Sequence, residues 1–180
     1  MASQAKREDN AVQEAKAKIS AGEISGLSIE NFENASKPLT YTYDIRVPGY
    51  AQKTGKRLFL QPGFFEYGAE PAFSASSRTY PVYFSYPWSE QDIIEIELPK
   101  GFDLDNADAP ADISDPSSIG SLKITIGIDR ASRTLKYNRT FFFGANGKIY
   151  FPATVYEPLK QLFSAFHKAD THTITLKQAQ

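Results

Sequence analysis

The stretch RTYPVYFSYPWSEQDIIEIELPKGFDL, residues 78–104, decides the fold. Apolar residues occupy alternate positions in two runs, which are Tyr80, Val82, Phe84 and Tyr86, and then Ile94, Ile96 and Leu98. Alternation with a period of two places one face of a strand on a core and the other in water. The stretch therefore predicts two strands joined by a polar turn, with a third short strand behind them, and it carries no catalytic motif.

The same alternation recurs along the chain, at residues 39–47, 57–61, 122–128 and 135–143. Near the end, apolar residues instead follow helical spacing, at Tyr156, Leu159, Leu162, Phe163 and Phe166. We expect a mainly β protein, a two-sheet antiparallel β-sandwich of jelly-roll-like form with one amphipathic helix near the C-terminus. Ala-, Lys- and Glu-rich residues at the start predict an N-terminal helix within 1–26, so that the β-sandwich domain spans 27–180.

Composition narrows the classes of function. The 180 residues carry a net charge of -1, which offers no basic field for nucleic acid. There is no cysteine, so thiolate nucleophiles, thiolate metal sites and disulfides are excluded. No apolar run suggests a membrane span or a signal peptide. The N-terminus is expected to be a boundary inside a longer protein.

An aspartate-rich segment is the first candidate site. It contains Asp103, Asp105, Asp108, Asp112 and Asp115 and no basic residue. Carboxylates are the ligands that Ca²⁺ prefers, but the spacing lacks the glycine and the terminal glutamate of the twelve-residue calcium loop. We therefore favour a solvated acidic loop and leave calcium binding at Asp103, Asp105 and Asp108 as the alternative.

The two histidines, His167 and His172, are five residues apart, which does not fit a metal pair on one helix. We expect both at the surface, and we expect no metal and no cofactor. No G-x-S-x-G elbow is present, so the sequence gives no sign of a serine hydrolase. We expect the chain not to be an enzyme.

Aromatic residues at strand ends are the remaining candidates. Trp88 lies in what reads as a polar turn, next to Tyr86, and Tyr50 follows a Pro-Gly turn. Exposed rings can stack on sugars or contact a partner, although such rings more often fill the ends of a core. Trp88, Tyr86 and Tyr50 are thus the predicted ligand or partner surface.

Several short motifs resemble one known family. They are Lys37-Pro38-Leu39, residues 58–62, Arg78-x-Tyr80-Pro81-Val82, Ile96-x-Leu98-Pro99-x-Gly101-Phe102, Tyr137-x-Arg139 and Tyr156-x-x-Leu159-x-x-x-Phe163. In order and spacing they resemble a β-rich domain of unknown function at the C-terminal end of bacterial transglutaminase-like proteins, which have a papain-like core.

The resemblance implies a non-catalytic accessory domain of a larger exported protein, in the periplasm or at the cell surface. Its partners would be the upstream transglutaminase-like core and cell-wall glycan or a protein substrate. The catalytic Cys, His and Asp of such proteins belong to the core, so no catalytic residue carries over to this chain. A carbohydrate-binding β-sandwich is the alternative expectation.

Overall fold

The computed structural model describes residues 5–6, 9–10, 13, 22–31 and 33–179. The chain divides into two compact units, residues 1–50 and 51–180. The N-terminal helix predicted within 1–26 falls mostly on residues outside the described ones, and the predicted domain boundary after residue 26 stays a prediction.

The first unit contains an antiparallel pair, β1 (Glu23–Glu30) and β2 (Thr40–Arg46). The register shifts between Ser25 and Ser28, where Gly26 has a positive φ of 62° that glycine adopts without strain. The alternation at residues 39–47 predicted β2. The inward face is only half-buried, and Leu39, just before β2, is exposed.

The second unit contains ten strands and one α-helix in its described residues. They are β3 (Gln52–Thr54), β4 (Arg57–Leu60), β5 (Val82–Tyr83), β6 (Trp88–Glu97), β7 (Phe102–Asn106), β8 (Ile113–Ser114), β9 (Gly120–Asp129), β10 (Thr134–Phe143), β11 (Tyr150–Phe151), α1 (Tyr156–Asp170) and β12 (Ile174–Gln178). Short 3₁₀ turns lie at Phe64–Glu66, Ala145–Gly147 and Ala153–Val155.

These strands form three antiparallel sheets. One has the order β6-β10-β9-β8, a second has the order β3-β4-β12-β7, and β11 pairs with β5. The protein is thus mainly β, with multiple antiparallel sheets and one helix towards the C-terminus. No helix in the described part of the chain has the length and apolar character that crossing a membrane requires.

The β9–β10 hairpin carries much of the core. Leu122, Ile124, Leu135 and Tyr137 are buried, and the alternating positions of both strands face water, as their pattern predicts. Burying a large apolar side chain stabilises a fold by about 1.5–3 kcal/mol. In the turn, the Asp129 carboxylate accepts hydrogen bonds from two backbone N–H groups.

The helix α1 begins where its pattern predicts, with Pro158 in the first turn, where the missing N–H costs nothing. Its inward face buries Tyr156, Leu159 and Phe166. The ring of Phe163 lies 4.8 Å from that of Phe143 on β10, centroid to centroid. The helix therefore covers an aromatic part of the core.

The strand predicted for residues 80–86 is wrong in extent. Only β5 forms there, and Tyr80 and Tyr86 are exposed rather than inward-facing. Pro81 and Pro87 flank the short strand, and proline has no N–H to donate to a neighbouring strand. The alternation of apolar side chains therefore predicted a longer strand than the backbone hydrogen bonds allow.

Candidate functional site

The three aromatic residues predicted as a surface have different environments. Trp88 begins β6 and is half-buried, so its predicted place in a turn is wrong. Its ring lies 5.2–5.6 Å from those of Phe84, Phe141 and Phe143, centroid to centroid. Tyr86 is 67% exposed, whereas Tyr50 is half-buried and belongs to the first unit.

Two tyrosines outside that set are also exposed on neighbouring strands. Tyr83 on β5 pairs directly with Tyr150 on β11, and opposite residues of an antiparallel pair point to the same face. Both side chains are mostly in solvent, at 68% and 57%. The two rings therefore share one exposed face of the small β5–β11 sheet.

The aspartate segment is not a loop of free carboxylates. Asp103 and Asp105 lie on β7, where Arg133 and Arg57 form ion pairs with them at 3.0 and 2.8 Å. Asp112 forms an ion pair with Lys123 at 3.1 Å. Across the described residues, no group of three or more His, Cys, Asp or Glu could hold a metal ion.

The histidines are not both surface residues. His167 is half-buried in the last turn of α1, and His172 lies beyond the helix. The His172 ring stacks on Tyr137 at 6.2 Å, and its Nδ1 donates to the Ala169 carbonyl at 2.8 Å. The His172 Nε2 is buried and has no hydrogen-bond partner among the described residues.

Five charged side chains that were not predicted as a site converge at the end of α1, and we call them the Arg139 cluster. Arg139 lies on β10, Glu90 and Asp92 on β6, Asp170 at the end of α1, and Glu66 in a 3₁₀ turn. Adjacent strands place Arg139 directly opposite Asp92. The cluster is therefore assembled from four separate elements.

The Arg139 guanidinium is 3% exposed and donates in three directions. It makes a bidentate pair with Asp170, from Nε to Oδ1 at 2.7 Å and from Nη2 to Oδ2 at 2.9 Å. Its Nη1 donates to Glu90 at 2.8 Å and to Asp92 at 3.4 Å. The Glu66 carboxylate lies 3.9 Å from Nη2, at ion-pair distance.

Burial and charge shift several pKa values in the cluster. Burial, only partly opposed by Arg139, raises the pKa values of Glu66 and Asp92. Burial alone would lower the pKa of the Arg139 guanidinium, but the hydrogen bonds and charge of Asp170 outweigh it and raise that pKa. Arg139 therefore stays charged, whereas the ionised forms of Glu66 and Asp92 are less favourable than in water.

A cleft of about 150 Å³ opens beside the cluster. Its charged and polar lining residues include Arg139 with Glu66, Glu70, Glu90, His167 and Asp170. Its aromatic lining residues are Trp88, Phe141, Phe163 and Phe166. None of the described residues that line it is Ser, Thr or Cys, so the lining offers charge and aromatic surface rather than one of those nucleophiles.

The sequence did contain a signal for part of this cluster. Asp92 is in phase with Ile94, Ile96 and Leu98, and Arg139 is in phase with the apolar positions of β10. A charge at an inward position must be paired, since an isolated buried charge is costly. Asp92 and Arg139 at inward positions of two paired strands could therefore have been predicted to form an internal ion pair.

The fold and the cluster define a mainly β domain with an internal arginine–carboxylate network. The sequence matches the model of a family described as a domain of unknown function with a solved structure, DUF3858, over residues 56–176. The chain belongs to this family. No curated protein matches it significantly.

Among solved structures, the fold is similar to that of a candidate protease from Parabacteroides distasonis, with a TM-score of 0.55 and 16% sequence identity. The match covers 70% of this chain and 24% of that protein. The likeness thus concerns the fold, and the chain corresponds to about a quarter of the larger protein.

Proposed function

We propose that this chain is a non-catalytic accessory domain of a larger exported bacterial protein that has a transglutaminase-like, papain-like core. One observation carries the proposal: the domain is similar to 24% of a longer chain that is described as a candidate protease. Membership of a domain family over residues 56–176 is consistent with a module that recurs beside other domains. The location that follows is the periplasm or the cell surface.

The role that we propose is to pack against the core or to present a surface to its substrate. Support comes from the Arg139 cleft, which has no Ser, Thr or Cys among its described lining residues. We also propose that the β6-β10-β9-β8 and β3-β4-β12-β7 sheets face each other as a jelly-roll-like sandwich. Buried side chains on both sheets, such as Leu122 and Leu176, support that arrangement.

The test is the full reading frame, followed by expression of the whole protein and of this chain alone. We expect an upstream core with Cys, His and Asp, and hydrolysis of amide or ester substrates only by proteins that contain that core. Hydrolysis by the isolated chain that is lost in His167→Ala or His172→Ala would overturn the proposal. So would a reading frame without any catalytic core.

A second candidate, carbohydrate binding, is favoured by the exposed pair Tyr83 and Tyr150. Tyrosine rings on one face can stack on a sugar ring, and residues 79–89 between Arg78 and Glu90 carry no charge. Titration with peptidoglycan fragments should then show binding that Tyr83→Ala and Tyr150→Ala each weaken. Tyr41→Ala, at an exposed tyrosine of the first unit, is the matched control. Equal binding by all variants, or no binding, would dispose of this candidate.

A further inference from the structure

The Arg139 cluster has more negative than positive charge. Asp170 alone neutralises the guanidinium through its two hydrogen bonds. Glu66, Glu90 and Asp92 remain, and in the described part of the chain Arg139 is the only basic side chain that forms an ion pair with any of them. Four carboxylates thus share one guanidinium, and this excess of partly buried negative charge is unfavourable, so the cluster would be stabilised by a further cation.

The cleft has a lining that suits an organic cation. Its lining residues combine carboxylates with Trp88, Phe141, Phe163 and Phe166. The faces of Trp and Phe attract cations, as the position of the Arg139 guanidinium 5.3 Å from the Phe141 ring centroid already illustrates. An anion would be repelled by this lining, and a hydrated metal ion would gain nothing from the rings.

A second observation lies deeper, next to the cluster. Tyr137, two residues from Arg139 on β10, is fully buried, and its hydroxyl has no hydrogen-bond partner among the described residues. A Cβ placed at Gly63 would lie 3.1 Å from that hydroxyl and 3.2 Å from the Asp170 carbonyl oxygen. Burial, and then the charge of Asp170, raises the Tyr137 pKa. Buried polar atoms are normally hydrogen-bonded, so a hydroxyl that can donate and accept remains unused near the Asp170 backbone.

We propose that the Arg139 cleft binds an organic cation, an ammonium or guanidinium group on a short apolar stem. The charged group would contact Glu66 and Glu90, and the stem would lie against Trp88 and Phe163. The site goes beyond the accessory role and does not depend on it. Two sources carry this chemistry: a free amine, and the end of a lysine or arginine side chain.

Trp88 provides a direct measurement, because it is the only tryptophan of the chain and it lines the cleft. The full 180-residue chain is titrated with n-butylammonium, with N-acetyl-arginine amide and with neutral n-butylurea, while tryptophan fluorescence is recorded. We expect saturable changes with the cations, weakened by added salt, and none with n-butylurea. Binding of n-butylammonium points to an alkylammonium group, and N-acetyl-lysine amide titrated in the same way separates its two sources: weaker binding of the capped lysine points to free amines, and equal or tighter binding points to a lysine side chain. Binding of the capped arginine alone points to an arginine side chain.

The variant that tests the contact is Glu66→Gln, which keeps the size of the side chain and removes its charge. Losing one charged contact should weaken cation binding roughly tenfold. Glu97→Gln is the matched control, since Glu97 lies exposed on the same strand as Glu90 and does not line the cleft. Circular dichroism establishes that both variants are folded.

Three results would overturn the proposal. They are the absence of a saturable change with either cation up to about 100 mM, equal binding of n-butylurea, and equal affinity in Glu66→Gln and the wild-type chain.

Discussion

Two arginine–aspartate pairs of the second unit have nearly the same shortest N–O distance and opposite environments. Arg139 contacts Asp170 at 2.7 Å, and Arg57 contacts Asp105 at 2.8 Å. The Arg139 side chain is 3% exposed, whereas that of Arg57 is 57% exposed. Distance therefore does not decide what an ion pair contributes. Exposure to solvent decides the contribution of the pair to stability. Exposed pairs are hydrated and mobile, whereas a buried charge that loses its partner is no longer compensated by the partner or by water.

The largest effect is expected from Arg139→Met. Removing the guanidinium leaves Asp170 buried and Asp92 half-buried without their ion-pair partner, which should lower the free energy of unfolding by about 3–5 kcal/mol. Arg57→Met is the matched control and should produce only a small fraction of that loss, because Asp105 keeps its ion pair with Lys177 and its contact with solvent. Urea denaturation followed by circular dichroism measures both. Equal losses in the two variants would contradict the comparison.

The coupling between the two buried partners gives the next effect. Arg139→Met combined with Asp170→Leu removes both charges of the bidentate pair. We expect this double variant to be more stable than the sum of the single losses predicts, by about 2–3 kcal/mol. The corresponding cycle at Arg57 and Asp105 should show a coupling of less than about 1 kcal/mol. Strict additivity at Arg139 and Asp170 would show that the pair is not energetically coupled.

Much of the fold was predictable because its signals are local. The β9–β10 hairpin and the start of α1 follow from side-chain periodicity and from the position of Pro158. The strand predicted around Pro81 and Pro87 was too long, since pairing depends on backbone N–H groups as well as on alternation.

The site was harder to predict because its partners are far apart in sequence. Arg139 and Asp92 are in phase with apolar neighbours and could have been paired, but nothing local places Asp170 beside them. The ion pairs of the aspartate segment were missed for the same reason. Asp105 looks unpaired in the sequence, because its partner Arg57 lies on β4, far away along the chain. Non-local pairing, rather than residue type, was the missing information.

The two regions should also respond to pH in opposite directions. Burial raises the pKa of Glu66 above the ordinary 4.5, so its ionisation costs stability as pH rises through the raised value. Glu66→Gln removes this cost. The variant should be more stable than the wild-type chain at pH 7, by less than about 1 kcal/mol, and the difference should vanish as pH falls to about 4.

Asp105 in the exposed Arg57 pair should show the opposite pH dependence to Glu66. The hydrogen bond from Arg57 lowers its pKa below the ordinary 3.8, so its contribution is present at neutral pH and is lost as pH falls through the lowered value. Asp105→Asn should therefore be the less stable protein at pH 7, and the difference from the wild-type chain should shrink as pH falls through the lowered pKa of Asp105. Urea denaturation across pH 2–8 measures both variants. Parallel pH profiles for Glu66→Gln and Asp105→Asn would contradict the distinction.

The smallest effect is that of salt. At about 1 M NaCl the screening length is about 3 Å, short enough to weaken the exposed Arg57–Asp105 pair, while the Arg139 side chain, only 3% exposed, is screened much less. The small difference between Arg57→Met and the wild-type chain should therefore disappear in high salt, whereas the loss in Arg139→Met persists. Urea midpoints at low and high salt test this prediction. If the destabilisation by Arg139→Met decreased in high salt by the same fraction as that by Arg57→Met, solvent ions would screen the buried pair as well.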